Sequence, residues 1–442
     1  MKRSIACGLL LALLCGKSAA VQAQKAKYVV MISVDGFRPD FYTDASWPTP
    51  NMQQMKEEGV YASGVRGVFP TVTYPSHTTL ITGVTPGKHG ICYNTAFSPD
   101  FSNGWNTDAS LIKAETLWDA VKKAGLTSAS VSWPVSVGAP ITYNIPETWS
   151  ATNPADRREA SSEKATPKGL FEEVTQNATG KLQANDYNLS ALSMDENVSR
   201  MAAYLIRTYK PNLVTLHLPC TDGAQHAEGR NGKGVRRAVA SADHAISNIL
   251  DALEKAGIKD STAIIITGDH GFVDTHTSLA PNIWLKQNGL FNKAVFFTTG
   301  GSTFLHLMDP KDEKTLQQVT NMLAALPESY KKLFKVIDKQ QLNQAGADAT
   351  AALALTAIQG FSFTNASDGE IMKPAKGGTH GYYPDFYEIQ TGFIGYGAGF
   401  KKGGVLPVIG LEDIAPTVAS LLGIELKSAD GVTYPGFFDL KK

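Results

Sequence analysis

An excess of charge of one sign is missing from this 442-residue chain, because 41 lysines and arginines are balanced by 41 aspartates and glutamates. That balance argues against an extended basic groove for nucleic acid and against a basic membrane-binding face. Beyond its amino terminus the sequence also has no apolar run long enough to anchor it in a bilayer. Hydrophobic residues make up 43% and charged residues 19%, so the chain is globular rather than disordered.

The amino terminus has the pattern of an export signal. Lys2 and Arg3 precede a short apolar stretch at residues 5–14, which is too short to span a bilayer comfortably. Residues 21–23, Val-Gln-Ala, then offer a small-residue cleavage site. We therefore predict a signal peptide over 1–23 and a mature protein that is exported to a periplasm or to the extracellular space.

Cysteine is scarce, with four residues in the chain. Cys7 and Cys15 would leave with the signal peptide, so the mature protein keeps Cys92 and Cys220. An oxidising compartment permits a disulfide between these two, but the sequence does not show whether their geometry allows one. Their spacing does not resemble that of a structural zinc finger.

Short β-branched apolar runs alternate with segments of helical periodicity. The runs predict strands at 28–34, 128–133, 212–218 and 262–267. Helices are predicted at 114–124, from a capping box at Ser193 toward Tyr209, at 236–256 and at 416–422. Unbroken apolar strands between helices indicate an α/β fold, with a mostly parallel central sheet flanked by helices on both faces.

A stretch in the last third of the chain has a different pattern. Residues 277–372 are polar and helical with few turn-to-strand signals, which predicts an inserted, smaller α+β subdomain. The catalytic core would then comprise residues 24–276 and, after the insertion, residues 373–442.

Three acidic residues each follow the end of a predicted strand. Asp35 comes after 28–34, Asp222 follows the run at 212–218, and Asp269 follows 262–267. Ligands of open α/β sheets bind outside the carboxyl ends of the strands. We therefore expect these carboxylates to meet at one edge of the sheet.

Three histidines accompany these acids. His226 follows Asp222 by four residues, the spacing that puts both side chains on one face of a helical turn. His270 is next to Asp269 on a glycine-flanked loop, and His380 is flanked by glycine on one side. Each pattern alone is also typical of a surface ion pair or a structural histidine, but carboxylate with imidazole is good zinc chemistry.

Thr73 lies at the start of a predicted helix. Pro75 suits the first turn of a helix running to Ile81, which would place Thr73 at its amino-terminal edge. Unpaired N–H groups at that edge favour an anion, and a hydroxyl beside a metal or base is a potential nucleophile. A threonine that only caps its own helix is the alternative interpretation.

These residues together predict two metal sites at one sheet edge. Two metals about 4 Å apart can clamp the attacking and leaving oxygens of an in-line displacement. Zinc is the metal that best suits imidazole and carboxylate ligands. The ligand set is Asp35, Thr73, Asp222, His226, Asp269, His270 and His380.

At this point the chain resembles the nucleotide pyrophosphatase/phosphodiesterases of the alkaline phosphatase superfamily. The resemblance is carried by 32–38, 70–77 with Thr82 and Gly83, His89 to Ile91 with Asn94, 222–226 with Gly229, 268–271, and His380 with Gly381. It runs from about 28 to 425 and implies an alkaline phosphatase-like fold. It also implies hydrolysis of phosphodiester or pyrophosphate bonds in a small nucleotide-like or lipid head-group substrate.

The same resemblance implies a role for each residue. Thr73 would form a covalent phospho-threonine, while Asn94 and the backbone N–H after Thr73 would bind a phosphoryl oxygen. One zinc would be held by Asp35, Thr73, Asp269 and His270, and the second by Asp222, His226 and His380.

Some positions depart from the family pattern, and they border the leaving-group pocket. Tyr74 and Ser76 stand where phenylalanine and asparagine are common, and Val135 follows Trp133-Pro134 in place of glycine. Tyr74 would either stack on a base or pack the start of the helix. The substrate therefore stays open.

Two rival functions remain. One is an alkaline phosphomonoesterase or phosphonate hydrolase on the same core, and the other is a catalytically inactive binding protein.

Overall fold

The computed structural model describes residues 26–439 except 151, 154, 155 and 190, so the predicted signal peptide lies outside the described residues. The strands are β1 Tyr28–Val34, β2 Val60–Arg66, β3 Ser128–Val131, β4 Tyr143–Ile145, β5 Leu213–Leu218, β6 Thr262–Thr267, β7 Val273–Leu279, β8 Ala294–Thr298, β9 Ser302–Leu307, β10 Phe334–Ile337, β11 Leu353–Ala357, β12 Gly360–Phe363, β13 Met372–Pro374, β14 Gly378–Thr379, β15 Phe393–Gly397 and β16 Gly404–Gly410. The helices are α1 Asp40–Thr43, α2 Pro50–Glu58, α3 Thr73–Thr82, α4 Pro86–His89, α5 Leu117–Lys123, α6 Arg158–Lys164, α7 Leu170–Val174, α8 Leu192–Tyr209, α9 Cys220–Glu228, α10 Lys233–Lys255, α11 Pro281–Gln287, α12 Glu313–Ala324, α13 Glu328–Lys331, α14 Lys339–Gln344 and α15 Ile414–Leu422.

A central sheet organises the described part of the chain. Its eight strands lie in the order β16-β2-β15-β6-β1-β5-β3-β4. β15 runs antiparallel to both of its neighbours, whereas every other neighbouring pair is parallel. The predicted fold class, a mostly parallel sheet flanked by helices, is confirmed.

Strand β1 is buried on both faces of the sheet, and this burial explains its unbroken run of apolar residues. Val30 and Ile32 belong to the core on one face of the sheet, which includes residues of α8 and α10. Val29 and Met31 belong to the core on the other face, which includes residues of α5 and α15. A strand buried on both faces needs apolar side chains at every position rather than at alternate ones.

The start of α8 differs from the sequence prediction. The predicted capping box at Ser193 is wrong, because the helix begins at Leu192 and its N-cap, Ala191, makes no side-chain hydrogen bond. The acid that would complete the box, Glu196, instead pairs with Arg200 at 2.5 Å and with His244 at 3.3 Å. Tertiary and i,i+4 partners therefore override the local capping signal.

A second, antiparallel sheet lies within the predicted insertion, in the order β10-β11-β9-β8. It packs on the core through one cluster that contains Phe69 and Tyr93 from the core and Phe297 and Phe304 from the sheet. β7 forms a third sheet with β12, β13 and β14. The domain boundaries at 277 and 372 stay predictions.

Cys92 and Cys220 are free thiols, so the structure does not pair them. The Cys220 thiol donates to the Ala191 carbonyl oxygen and the Cys92 thiol to that of Pro86. Among the described residues, no helix has the length and apolar character that crossing a membrane requires.

Candidate metal-dependent active site

The three predicted carboxylates lie at the carboxyl edge of three adjacent strands. β1 lies between β5 and β6, and the registers pair Val34 with Leu218 and Ser33 with Thr267. Asp35 follows β1 directly, Asp269 lies two residues beyond β6, and Asp222 lies in the first turn of α9 after β5. Parallel pairing in this register brings the three carboxyl groups together.

Thr73 is the first residue of α3, so the helix begins two residues earlier than predicted. The N-cap residue, Val72, makes no side-chain hydrogen bond to the first turn of the helix. Thr73 Oγ1 lies 3.5 Å from His270 Nε2. The hydroxyl therefore lies at the positive end of the α3 dipole and in contact with a predicted ligand.

Two groups of side chains have the arrangement of metal ligands, with ligand atoms all within 4.8 Å of one another. The first is Asp35, Asp222 and His270, and the second is Asp222, His226 and His380. Asp222 belongs to both. The family resemblance implied the second set, whereas the first set contains Asp222 in place of the Asp269 and Thr73 that the resemblance implied. Asp269 is nearby, with Oδ2 at 3.1 Å from His270 Nε2.

Each predicted histidine ligand points its Nδ1 atom at a backbone carbonyl. The distances are 3.0 Å from His226 to Gly378, 3.1 Å from His270 to Gly271 and 3.0 Å from His380 to Thr71. A carbonyl only accepts, so Nδ1 carries the proton in all three rings. In the neutral ring Nε2 is then left with a lone pair, as metal ligands require.

The carboxylates present lone pairs to the same space. Asp35 Oδ1, Asp222 Oδ1 and Asp269 Oδ2 are buried and lack a hydrogen-bond partner within the described residues. Asp222 Oδ1 nevertheless lies 3.3 Å from His226 Nε2 and 3.6 Å from His380 Nε2. Acceptors that face acceptors repel one another unless a cation lies between them, and the donor set fits a metal ion of the zinc type.

The pKa shifts of the site residues also indicate a site that attracts cations. Burial lowers the pKa of His270 to about 4 and that of His380 to about 3, so both rings are neutral. Burial also opposes charge on Asp222, but the neighbouring His226 and His380 lower the pKa of its carboxyl group. Asp222 in turn raises the pKa of His226 against the effect of burial. The site attracts positive charge.

His380 depends on a close backbone approach. The following residue, Gly381, has φ +87°, and a Cβ there would lie 1.7 Å from the Thr299 carbonyl oxygen. Glycine therefore lets this loop pass against the β8–β9 hairpin. The His380 ring stacks on that of His270, with centroids 3.6 Å apart and planes 9° apart, which joins the two ligand groups.

Asn94 and the backbone N–H of Tyr74, which were expected to bind a phosphoryl oxygen, lie next to each other and form a hydrogen bond between themselves. The Tyr74 N–H donates to Asn94 Oδ1 at 2.9 Å. The Tyr74 ring is fully buried, and its centroid lies 5.1 Å from that of Trp105 and 6.4 Å from that of Trp149. This position corresponds to packing at the helix start rather than to an open platform for a base.

Sequence reasoning missed a buried network behind the site. His217 Nε2 lies 3.1 Å from Asp35 Oδ2, and its Nδ1 lies 3.2 Å from Glu147 Oε2 and 3.1 Å from the Ser132 carbonyl oxygen. Every one of these groups accepts, so both ring nitrogens donate. Burial opposes the charge, yet these partners raise the pKa of His217 well above its usual range. The Tyr74 hydroxyl also donates to Glu147, at 2.9 Å.

Replacing His217 by leucine is expected to destabilise the protein. The change leaves two buried carboxylates, Asp35 and Glu147, without their shared donor, a loss that costs about 3–5 kcal/mol of unfolding free energy. Urea unfolding of the metal-free protein measures it. His244→Leu is the matched control, because that exposed histidine pairs with the single carboxylate of Glu196 and should cost less than about 1 kcal/mol. Equal effects for both variants would refute a buried ionic network.

The relatives of this chain can now be considered. A sequence profile of the type I phosphodiesterase / nucleotide pyrophosphatase family matches residues 29–383. Bis(5'-adenosyl)-triphosphatase enpp4 of Xenopus laevis is 23% identical over 402 residues, which cover 90% of this chain and 78% of the relative. Venom phosphodiesterase 2 of Crotalus adamanteus is 22% identical over 88% of this chain, and human ectonucleotide pyrophosphatase/phosphodiesterase family member 1 is 23% identical over 85%. The chain spans only 45% and 37% of the length of those two relatives.

Solved structures show the same fold. Human ectonucleotide pyrophosphatase / phosphodiesterase 5 superposes with a TM-score of 0.68 at 20% identity, covering 91% of this chain and 97% of the other. An inactive variant of the murine protein in complex with AMP gives a TM-score of 0.67 at 20% identity, covering 92% and 97%. With the family profile over most of its length, a matching fold and two candidate metal-ligand groups, the chain belongs to the type I phosphodiesterase / nucleotide pyrophosphatase family, a family of metal-dependent phosphoric diester hydrolases.

Proposed function

We propose that this protein is an exported hydrolase of phosphodiester or pyrophosphate bonds that uses two zinc ions and a covalent phospho-Thr73 intermediate. Family membership supports the type of bond, since the relatives are named as phosphodiesterases and pyrophosphatases. The charged residues at 2–3 and the apolar stretch at 5–14 support export.

One observation carries the metal part of the proposal. Unpaired oxygens of Asp35, Asp222 and Asp269 lie close to the Nε2 atoms of His226, His270 and His380. Bound cations satisfy such a concentration of buried carboxylate and imidazole lone pairs. The nearest hydroxyl to it among the predicted site residues is that of Thr73.

Zinc would be held at two places. Asp222, His226 and His380 would hold one ion, while Asp35, Asp269 and His270 would hold the other, and His270 Nε2 lies 3.5 Å from the hydroxyl of Thr73. Bound divalent cations supply Lewis acidity, which lowers the pKa of a hydroxyl or water and neutralises charge on oxygen. Three or four nitrogen and oxygen ligands per ion suit zinc.

The chain's own residues divide the reaction into two balanced steps. Thr73 Oγ1 loses its proton and attacks phosphorus, forming an O–P bond while the bond to the leaving oxygen breaks and that oxygen takes a proton. Water then attacks the phospho-threonine, which releases the phosphate monoester and restores the Thr73 hydroxyl. The Asn94 amide N–H, oriented by the hydrogen bond that Asn94 Oδ1 accepts from the Tyr74 N–H, would stabilise the charge that develops on a phosphoryl oxygen, together with the positive end of the α3 dipole.

A nucleotide-like substrate is the first choice. The Xenopus relative is named for bis(5'-adenosyl) triphosphate, and the murine structure contains AMP. Both names describe those proteins, and identity of 20–23% leaves the substrate of this chain to experiment.

Rates on bis-p-nitrophenyl phosphate and p-nitrophenyl phosphate, before and after chelation and zinc return, test the proposal. We expect diester hydrolysis to fall by about 10³-fold without metal, because Lewis-acid stabilisation is worth several kcal/mol, and to recover with zinc. A preference for the monoester would indicate an alkaline phosphomonoesterase instead. Metal binding without turnover of either ester would indicate an inactive binding protein.

A further inference from the structure

A cleft of about 280 Å³ opens beside the second ligand group, and its lining includes His226 and His380 but neither Asp35 nor His270. The opposite wall comes from the β8–β9 hairpin of the second sheet. The residues that give the cleft its character are Asn94, Thr95, Phe297, Thr298, Thr299 and Thr379.

This cleft is neutral and of mixed polarity. Apart from the two histidines, its described lining residues are hydroxyl, amide, aromatic and aliphatic groups, and none is a lysine, an arginine or an acid. Tyr93 is the other titratable residue in the lining, and burial raises the pKa of its phenol well above its usual range. Apart from a metal ion at His226 and His380, an anion in the cleft would therefore find no counter-charge on its walls.

The position of the cleft relates it to the leaving group. Thr73 Oγ1 touches His270, a member of the first ligand group. In an in-line displacement the leaving oxygen lies opposite the attacking one. If Thr73 attacks from the side of the first group, the leaving oxygen lies beside Asp222, His226 and His380, and its substituent extends into the cleft.

We propose that this cleft binds the leaving group and selects an uncharged alcohol about one ring in size, in preference to a phosphorylated one. The inference rests on the proposed function and narrows it to phosphodiester bonds, because cleavage of a pyrophosphate bond always releases a charged leaving group. Threonine hydroxyls with the Phe297 ring suit a group that has polar edges and an apolar face. Two divalent cations held by Asp35, Asp222 and Asp269 would leave one positive charge, which the single negative charge of a diester would already balance. Further negative charge on the leaving group has no partner.

Two thymidine 5′-phosphate diesters test this proposal, one with 3-carbamoyl-4-nitrophenol and one with 3-carboxy-4-nitrophenol as leaving group. The two leaving groups are similar in size and differ by one negative charge in the cleft. For the wild-type protein we expect kcat/KM to favour the neutral ester by about tenfold, since an unbalanced charge in a partly desolvated site is worth about this much. Calorimetric titration of metal-loaded Thr73→Ala with both esters should show the same preference in Kd.

Thr95→Lys places a cation in the cleft. It should lower the ratio of kcat/KM for the neutral ester to kcat/KM for the charged ester by about threefold to tenfold. Thr299→Lys is the second variant, for use if the first is unstable. Thr320→Lys is the matched control, because Thr320 is exposed on α12 and does not line the cleft. It should leave the ratio unchanged.

Equal rates and Kd values for the two esters, with a ratio that Thr95→Lys leaves untouched, would overturn the assignment of the cleft while the hydrolase stands. Failure to hydrolyse either ester with zinc bound would instead contradict the proposed function.

Discussion

Thr73→Ala is expected to lower kcat on a phosphodiester by about 10⁴-fold or more, a loss typical of removing a catalytic nucleophile. The residual rate would come from the metal ions and the binding groups that remain. The substitution removes one methyl group and a hydroxyl that lies 3.5 Å from His270, which is a small loss of packing. Fold and the binding of at least one metal ion should therefore survive.

Thr78→Ala provides the matched control. Thr78 is buried in the same helix, but its hydroxyl donates to the Tyr74 carbonyl oxygen at 2.8 Å within the helix. It should keep most of the activity. Acid quenching of the wild-type protein during turnover, followed by mass spectrometry, should find the peptide that contains Thr73 joined to the phosphate monoester portion of the substrate, for example a thymidylyl group from a thymidine 5′-phosphate diester. A Thr73→Ala protein with near-native rates would show that another group attacks phosphorus.

Loss of the carboxylate at Asp222 should have the second large effect, because this residue belongs to both ligand groups. Changes to groups that only support a ligand cost 10–100-fold in metal affinity or activity, so Asp222→Asn should cost more than about 100-fold. Metal analysis of the purified, zinc-loaded variant should give clearly less zinc per chain than the wild type.

Asp260→Asn serves as the control, since Asp260 is exposed and precedes strand β6, whereas Asp269 follows the other end of that strand. It removes the same charge and should change neither metal content nor rate. Wild-type zinc content in Asp222→Asn would mean that each ion is held without the shared carboxylate. The two ligand groups would then have to be redefined around Asp269.

Much of the site follows from sequence because its chemistry lies at strand ends. Asp35 and Asp269 are local extensions of apolar runs, and the parallel pairing of β1 with β6 is what such runs favour. The helix that begins at Thr73 was likewise indicated by a proline in its first turn. Predicting these features requires only local sequence patterns and the rule that ligands of α/β sheets bind at the carboxyl ends of the strands.

The remaining features of the site and fold depend on contacts between residues that are far apart in the sequence. Local sequence patterns do not show such contacts. His217 is a polar residue in a strand buried on both faces, and that alone signals that it must have partners. Its partner Glu147 lies 70 residues earlier, in a loop without any sequence signal. The capping box failed for the same reason, since distant residues engaged its glutamate.

The separation of the ligands along the chain has a consequence for biogenesis. Asp35, Asp222, Asp269 and His380 come together only when strands from distant parts of the sequence have paired. Contacts of such high sequence separation form slowly and late in folding. Metal uptake should therefore follow folding rather than assist it, because a chain still emerging from the ribosome would not yet have a complete site.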